Sequence, residues 1–160
     1  MKTTTSQVTK LVLTDLDRLD PVSVITEDFG SERGKIIIEC YGKAWTAYWG
    51  SMGCNSVAIF FYESNEHYLA GKLSNIDDHV YDIDAIRESA EEKGIECWRD
   101  DPWHDHEFLH AMYGPDMTEW HNSLPKKSNS DYLYLCRIIK AVQEAFRNII
   151  AEHDNSKEVG

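Results

Sequence analysis

The sequence predicts an α+β fold in which a four-stranded antiparallel sheet is packed by helices. Two observations lead to this prediction. Apolar and polar residues alternate with a period of two over the first third of the 160-residue chain, and apolar residues recur at helical spacing after that point. The links between the predicted strands are short, which favours neighbouring strands that run antiparallel as a meander. A chain of this length buries a core of its own, so we expect a single domain over residues 1–160.

The clearest predicted element is a hairpin over residues 34–53, with the sequence GKIIIECYGKAWTAYWGSMG. Two runs of β-branched and aromatic residues alternate within it, and Tyr41-Gly42-Lys43 separates them. Two further strands are predicted before the hairpin, one from Val8 to Leu16 and one over residues 22–26. A turn at Asp20-Pro21 separates these two, because proline disfavours helical geometry in the residue before it.

Helices are predicted after the hairpin. The first begins at Asn55 or Ser56, and the sequence leaves open whether Ser64-Asn65 divides it in two. Another runs from Asp82 to Lys93, and Gly94 follows it as a C-terminal stop.

The last predicted helix is also the longest. It starts at Ser128 or Ser130 and carries apolar residues at helical spacing as far as Ile150, so it is suited to cover one face of the sheet. We expect the tail at residues 154–160 to fray.

The segment 75–121, called the acidic segment below, differs from the rest of the chain. It holds fourteen acidic and three basic residues, a net charge of −11 out of −12 for the chain, together with Trp98, Trp103 and Trp120. We expect it to be insertion-like, and within its second half only Glu107–Tyr113 resembles a helix. Such unopposed charge argues against direct binding of nucleic acid and for a basic protein partner.

The candidate partner-binding residues are acids and tryptophans of the acidic segment, because aromatic anchors among steering charges are typical of binding surfaces. They are Asp77, Asp78, Asp82, Asp84, Glu88, Glu91, Glu92, Trp98, Asp100, Asp101 and Trp103. The alternative is an ordinary solvated face. No catalytic residue is assigned, since the sequence shows no nucleophile elbow and no phosphate-binding loop.

A second hypothesis is a metal-dependent hydrolase with a site at His104, His106 and His110. If this stretch is helical, His106 and His110 lie one turn apart on the same face, as zinc ligands often do. A third ligand and a base would also be needed, for which Asp116 and His121 are further candidates. The spacing matches no zinc motif, so no cofactor is predicted.

Compartment and assembly are predicted from simpler features. Cys40, Cys54, Cys97 and Cys136 form no CxxC pair, the N-terminus lacks a secretory signal, and no apolar run has the length of a membrane helix. These features predict a reduced, soluble, cytoplasmic protein. A third functional hypothesis is a structural homo-oligomer, such as a homodimer, formed through a sheet edge, because an uncovered edge strand is a common pairing surface.

Four segments of the chain have distinctive sequences: TKLVLTDLDRLDPVSV, GKIIIECYGKAWTAYWGSMG, FFYESNEHYLAGKLS and LPKKSNSDYLYLCRIIKAVQEA. They resemble a family of small accessory proteins from lambdoid temperate phages and prophages, over residues 8–75 and 124–147. The resemblance transfers no catalytic residue. It implies a protein in the cytoplasm of a bacterial host that inhibits a nucleic-acid-handling or defence protein, of the anti-CRISPR or anti-restriction type. The acidic side chains would then partly mimic the phosphate charge of DNA.

Overall fold

The computed structural model describes residues 1–115 and 120–158. The chain forms two compact units. The first, called the sheet unit, comprises residues 1–76 and 131–160, and the second, called the acidic unit, comprises residues 77–130.

The sheet unit contains the predicted four-stranded antiparallel meander. Its strands are β1 (Thr9–Leu13), β2 (Val22–Gly30), β3 (Arg33–Cys40) and β4 (Lys43–Trp49), and they pair in the order β1-β2-β3-β4. Strand β2 is longer than predicted because Glu27 and Asp28 continue its ladder, opposite Lys35 and Gly34 of β3. The α+β fold class is therefore confirmed.

A two-residue turn joins β3 to β4. Tyr41 and Gly42 both have positive φ, 49° and 73°, as in the type I′ turns whose twist suits the flanking strands. Cys40 pairs with Lys43 across the turn, and this register places Ile38 opposite Trp45. The sequence predicts a break of three residues, Tyr41-Gly42-Lys43, and the observed turn is one residue shorter.

One face of the sheet is buried against three helices. These are α1 (Val57–Glu63), α2 (Glu66–Leu73) and α6 (Ser130–Glu158). Their buried side chains join those of the sheet in one core, whose largest fully buried members are Phe61, Phe146, Ile36, Ile38, Leu69, Leu135, Ile138, Ile139, Val22, Val24 and Val57.

The first helix begins at a predicted cap, and α6 has Ser130, a predicted N-cap, as its first helical residue. Ser56 caps α1, and its side chain accepts a hydrogen bond from the N–H of Ile59. Ser64-Asn65 does divide α1 from α2, because the Asn65 side chain accepts from the N–H groups of His67 and Tyr68 and so starts a new helix. The long C-terminal helix α6 is confirmed, while the fraying of residues 154–160 stays a prediction.

The acidic unit has its own small core. Its elements are β5 (His79–Tyr81), α3 (Ile83–Glu92), a 3₁₀ turn (Pro102–His104), α4 (His106–Tyr113), α5 (Trp120–Ser123) and β6 (Lys126–Ser128). Among the residues of this unit that the structure describes, six hydrophobic side chains form the buried core, namely Ile86, Ala90, Phe108, Leu109, Met112 and Leu124. The unit extends past the acidic segment to residue 130 because β6 pairs antiparallel with β5.

Within residues 1–115 and 120–158, no helix combines the length and the apolar character needed to cross a bilayer.

Candidate partner-binding surface

Helix α3 gives the acidic unit a line of exposed carboxylates. Ile86 and Ala90 are fully buried in the core of the unit. Glu88, Glu91 and Glu92 are exposed, and in the described part of the structure their carboxylates form no hydrogen bond or ion pair. The helix therefore separates an apolar face from an acidic one, as the sequence pattern indicates.

These carboxylates oppose the stability of the helix that carries them. Asp84 and Glu88 are four residues apart, as are Glu88 and Glu92, and like charges at this spacing cost a helix roughly 0.2–0.5 kcal/mol per pair. Glu91 and Glu92 also lie in the last turn, which contains no basic residue, so they face the negative end of the helix dipole. A positively charged partner would remove both costs.

Two of the three tryptophans of the acidic segment are packing residues. The ring of Trp103 lies 4.9 Å from that of Tyr81, and the ring of Trp120 lies 6.4 Å from it. Both tryptophans are half-buried and pack against the core of the acidic unit. Trp103 is therefore engaged inside the unit, and its role in partner binding stays a prediction.

Trp98 differs from them, because its side chain is 83% exposed. It borders a surface pocket of about 450 Å³ together with Ile95, Glu91 and Glu96, and Arg87, Gly94 and Cys97 complete the lining. Glu96 is not among the candidate residues predicted from the sequence. Its position two residues before Trp98 is the sequence feature that could have identified it. A large apolar ring beside two carboxylates is a suitable site for a cationic side chain.

The basic side chains of the acidic unit contact groups of the unit other than the α3 glutamates. Its five bases are Arg87, Lys93, Arg99, Lys126 and Lys127. Arg87 binds Asp100, Arg99 binds Asp101, Lys93 donates to the carbonyl of Met112 at 3.0 Å, and Lys126 lies 5.5 Å from the centre of the Tyr81 ring. Lys127 lies between two carboxylates, as described next.

Asp82 and Asp84 share the Lys127 ammonium, at 3.3 and 3.8 Å. Asp82 also caps α3, because its Oδ1 accepts from the N–H of Ala85 at 3.4 Å. Desolvation acts to raise the pKa of Asp82, but Lys127 and the Ala85 N–H outweigh it and hold the pKa below its usual range. Asp82 therefore has a structural role, whereas the side chain of Asp84 is 82% exposed.

Asp100 and Asp101 are both paired with arginine inside the unit. The Arg99 guanidinium, 3.1 Å from Asp101, is the main cause of a lowered Asp101 pKa; desolvation acts against it, and His104 adds to it. These two aspartates thus present less unopposed charge to a partner than the glutamates of α3 do.

Asp77 and Asp78 lie where β5 begins. The Asp77 carbonyl accepts from the Asn129 side chain, and the Asp78 carbonyl accepts from the Asn129 N–H, both at 2.9 Å. The Asp78 carboxylate lies 3.0 Å from Nδ1 of His79. Both aspartates are exposed, so they border the ladder of β5 and β6 rather than its interior.

Asp105, an acidic residue of the acidic segment, has a structural role. It caps α4, because its Oδ1 accepts from the N–H groups of Glu107 and Phe108, each at 3.1 Å. We expect Asp105→Ala to lower the free energy of unfolding by about 0.5–2 kcal/mol in urea denaturation, since two N–H groups lose their acceptor. Asp105→Asn is the matched control, because it removes the same charge but keeps a capping oxygen. Equal stabilities of the two variants would contradict the assigned cap.

The three histidines of the metal hypothesis are exposed. Nδ1 of His104 lies 3.4 Å from Oδ2 of Asp101, and His106 and His110 stand one turn apart on α4 as predicted. Among the described residues no group of three histidine, cysteine or acidic side chains is arranged to hold a metal ion. Asp116, a further candidate ligand, lies outside the described residues. The metal site stays a prediction.

Comparison with known proteins gives one family. A protein-family model described as a phage family matches residues 1–148 of the chain, which includes all of the acidic unit. Searches of the curated proteins and of the solved structures find no match.

Proposed function

The chain belongs to this phage protein family, and from that premise we propose that it is an accessory protein that acts by binding. Its acidic unit occupies a basic surface of a host protein that handles nucleic acid or takes part in defence. The observation that supports this most is the exposed ring of Trp98 beside carboxylates that no described group neutralises. By covering the basic surface, the protein acts as an inhibitor of the anti-restriction or anti-CRISPR type.

The Trp98 pocket supplies the anchor. A lysine or arginine of the partner places its charged group near Glu91 and Glu96 and lays its aliphatic stem on the Trp98 ring. Arginine gains most, because its planar guanidinium binds a carboxylate with two hydrogen bonds. Binding surfaces concentrate their energy at such central aromatic contacts.

Helix α3 supplies the charge array. From Asp84 to Glu92 the helix rises about 12 Å, at 1.5 Å per residue. Four carboxylates lie on this length, which is a mean axial spacing of about 4 Å, and one strand of DNA advances roughly 3.4 Å along its axis per phosphate. A cleft built for a nucleic-acid strand therefore meets a similar mean density of negative charge along the axis.

The first test is to identify the partner. The protein is used to capture host proteins from a nuclease-treated lysate, at low and at high salt, and the purified partner is then titrated with it. We expect a basic nucleic-acid enzyme or defence complex whose binding weakens as salt rises, because salt screens exposed charge pairs. A partner that binds equally well at both salt concentrations would contradict charge-based recognition.

The second test removes the negative charge of glutamates that form no ion pair in the described part of the structure. A variant with Glu88, Glu91, Glu92 and Glu96 all changed to Gln should bind the partner about 10- to 100-fold more weakly at low salt, with a shallower salt dependence. Its Tm should equal or exceed that of the parent, because the repulsion within α3 is relieved. Binding is measured by titration calorimetry and Tm by circular dichroism.

A matched control separates position from net charge. The control variant neutralises four exposed acids of the sheet unit, namely Asp15, Asp17, Glu39 and Glu63. Both variants change the net charge by the same amount. If the control weakens binding as much as the α3 variant does, the proposed surface is wrong and the overall charge of the protein governs binding.

A further inference from the structure

Strand β4 forms an edge of the sheet whose outer side is open. It pairs with β3 on one side, and among the described residues no backbone group of another element bonds to its other side. In a hairpin with a two-residue turn, the residues next to the turn form a hydrogen-bonded pair, and such pairs then alternate along the ladder. The backbone groups of Ala44, Thr46 and Tyr48 therefore point outward.

This edge lacks the features that usually prevent pairing. Its ladder with β3 has no bulge, the strand contains no proline, and Lys43 at its end is its one charged residue. Ala44, Thr46 and Tyr48 are all exposed. A regular edge strand that has aromatic residues and a single charge at its end readily accepts another strand.

We propose that the occupant is a second copy of this chain, whose β4 pairs antiparallel with the first about a twofold axis at Thr46. Ala44 then lies opposite Tyr48 of the partner subunit, and Thr46 opposite Thr46 of the partner subunit. All outward N–H and C=O groups of the three residues are paired by this register. The two sheets become one continuous eight-stranded sheet.

Side-chain size favours this register over its neighbours. On each face a large residue meets a small one, because Trp45 lies opposite Ala47 of the partner subunit and Tyr48 opposite Ala44 of the partner subunit. An axis at Trp45 would instead place the two copies of that side chain against each other, and an axis at Ala47 would set Trp45 against Trp49 of the partner subunit. Cross-strand pairs of this kind decide strand register.

Charge is compatible with the same register. Lys43 lies opposite Trp49 of the partner subunit, so the charged ends of the two strands do not meet. On the outer face Glu39 is next to Ala44, and Lys35 is next to Tyr48, in the ladder of each copy. Pairing about Thr46 therefore forms a row of four side chains across the outer face of the sheet. The row begins with Glu39 and Ala44 of one copy and ends with Tyr48 of the partner subunit and Lys35 of the partner subunit. This row has opposite charges at its ends and no like charges side by side.

The test is the mass of the protein in solution. Sedimentation equilibrium should give twice the chain mass of 18.4 kDa. Thr46→Lys should give the single-chain mass, because two like charges would face each other at the axis. Val12→Lys, on the opposite edge strand and 60% exposed, is the matched control and should stay dimeric. A single-chain mass for the parent, or a dimer lost only in Val12→Lys, would overturn the proposal.

Disulfide capture tests the register without depending on the lysine variant. Cα atoms of a hydrogen-bonded antiparallel pair lie about 5.5 Å apart, within the range that a disulfide spans. In a background with Cys54→Ser and Cys97→Ser, and with oxidised glutathione added as the electron acceptor, Thr46→Cys should form a disulfide-linked dimer, whereas Val12→Cys should not. Absence of a crosslink in a Thr46→Cys protein that is folded by circular dichroism would also overturn the proposal.

Discussion

Replacing Trp98 by alanine should weaken partner binding by about 30-fold or more while leaving the fold intact. The ring is 83% exposed, so its removal leaves no cavity in the core of the acidic unit. A central aromatic anchor contributes about 2 kcal/mol or more to a protein interface, and about 1.4 kcal/mol corresponds to a tenfold change in Kd. Titration calorimetry against the captured partner measures the loss of affinity, and urea denaturation of the free variant measures its stability.

Tyr41→Ala is the matched control for this substitution. Tyr41 is also 83% exposed, but it lies in the hairpin turn of the sheet unit. If both aromatic residues contribute equally to binding, or if neither does, Trp98 is not the anchor. A loss of stability in Trp98→Ala would show instead that the ring is needed inside the acidic unit.

The sheet unit is predictable from sequence because its signals are local and mutually consistent. Alternation in β3 and β4 directly fixes which face is buried, and Gly42 permits the tight turn that sets their register. The helix caps at Ser56 and Asn65 are likewise local, since each side chain bonds to N–H groups two or three residues ahead. The phage origin implied by the resemblance agrees with the family match.

The acidic unit is less predictable because its contacts are distant in sequence. Strand β6 has the sequence KKS, all exposed, and becomes a strand only by pairing with β5, as in the pair His79 and Ser128. No periodicity marks such a short polar strand. The pairing of Asp100 with Arg87 and of Asp82 with Lys127 is also a tertiary property.

The three tryptophans of the acidic segment show the same limit. Composition indicates an aromatic anchor, but it cannot tell which ring packs against Tyr81 and which is exposed. That distinction depends on the path of the chain from Gly94 to the 3₁₀ turn at Pro102–His104. A tryptophan on a short link between a helix and a turn belongs to no periodic pattern of apolar residues. The sequence therefore does not indicate whether its ring is buried or exposed.

Replacing Gly34 by alanine should lower the free energy of unfolding by roughly 1–3 kcal/mol, since it overpacks a close contact. A Cβ atom at this position would lie 2.2 Å from Cγ2 of Val57 and 3.2 Å from the carbonyl oxygen of Glu27. Val57 is fully buried at the start of α1, and Asp28 accepts its N–H at 2.7 Å, so the helix is held at this point and has little room to move away. Urea denaturation followed by circular dichroism measures the change.

Gly71→Ala is the control for this change, and it should have the opposite sign. Gly71 lies within α2, and nothing lies within 4 Å of the position its Cβ would take, so alanine should stabilise the protein by up to about 1 kcal/mol through helix propensity. If Gly34→Ala unfolds at the same urea concentration as the parent, the close approach of α1 to β3 does not constrain the fold.

A double-mutant cycle with Val57→Ala identifies the cause of the Gly34 effect. Val57→Ala alone loses buried methyl groups and should destabilise the protein by about 1–2 kcal/mol. In the double variant the methyl group that Gly34→Ala introduces occupies space that the valine side chain has vacated, so the cost should be smaller than the sum of the two single costs by about 0.5–3 kcal/mol. Strict additivity would indicate that the contacts with the Glu27 carbonyl and with Cε of Met52, each at 3.2 Å, and not the Val57 side chain, require glycine at position 34, because these two groups are unchanged in every variant of the cycle.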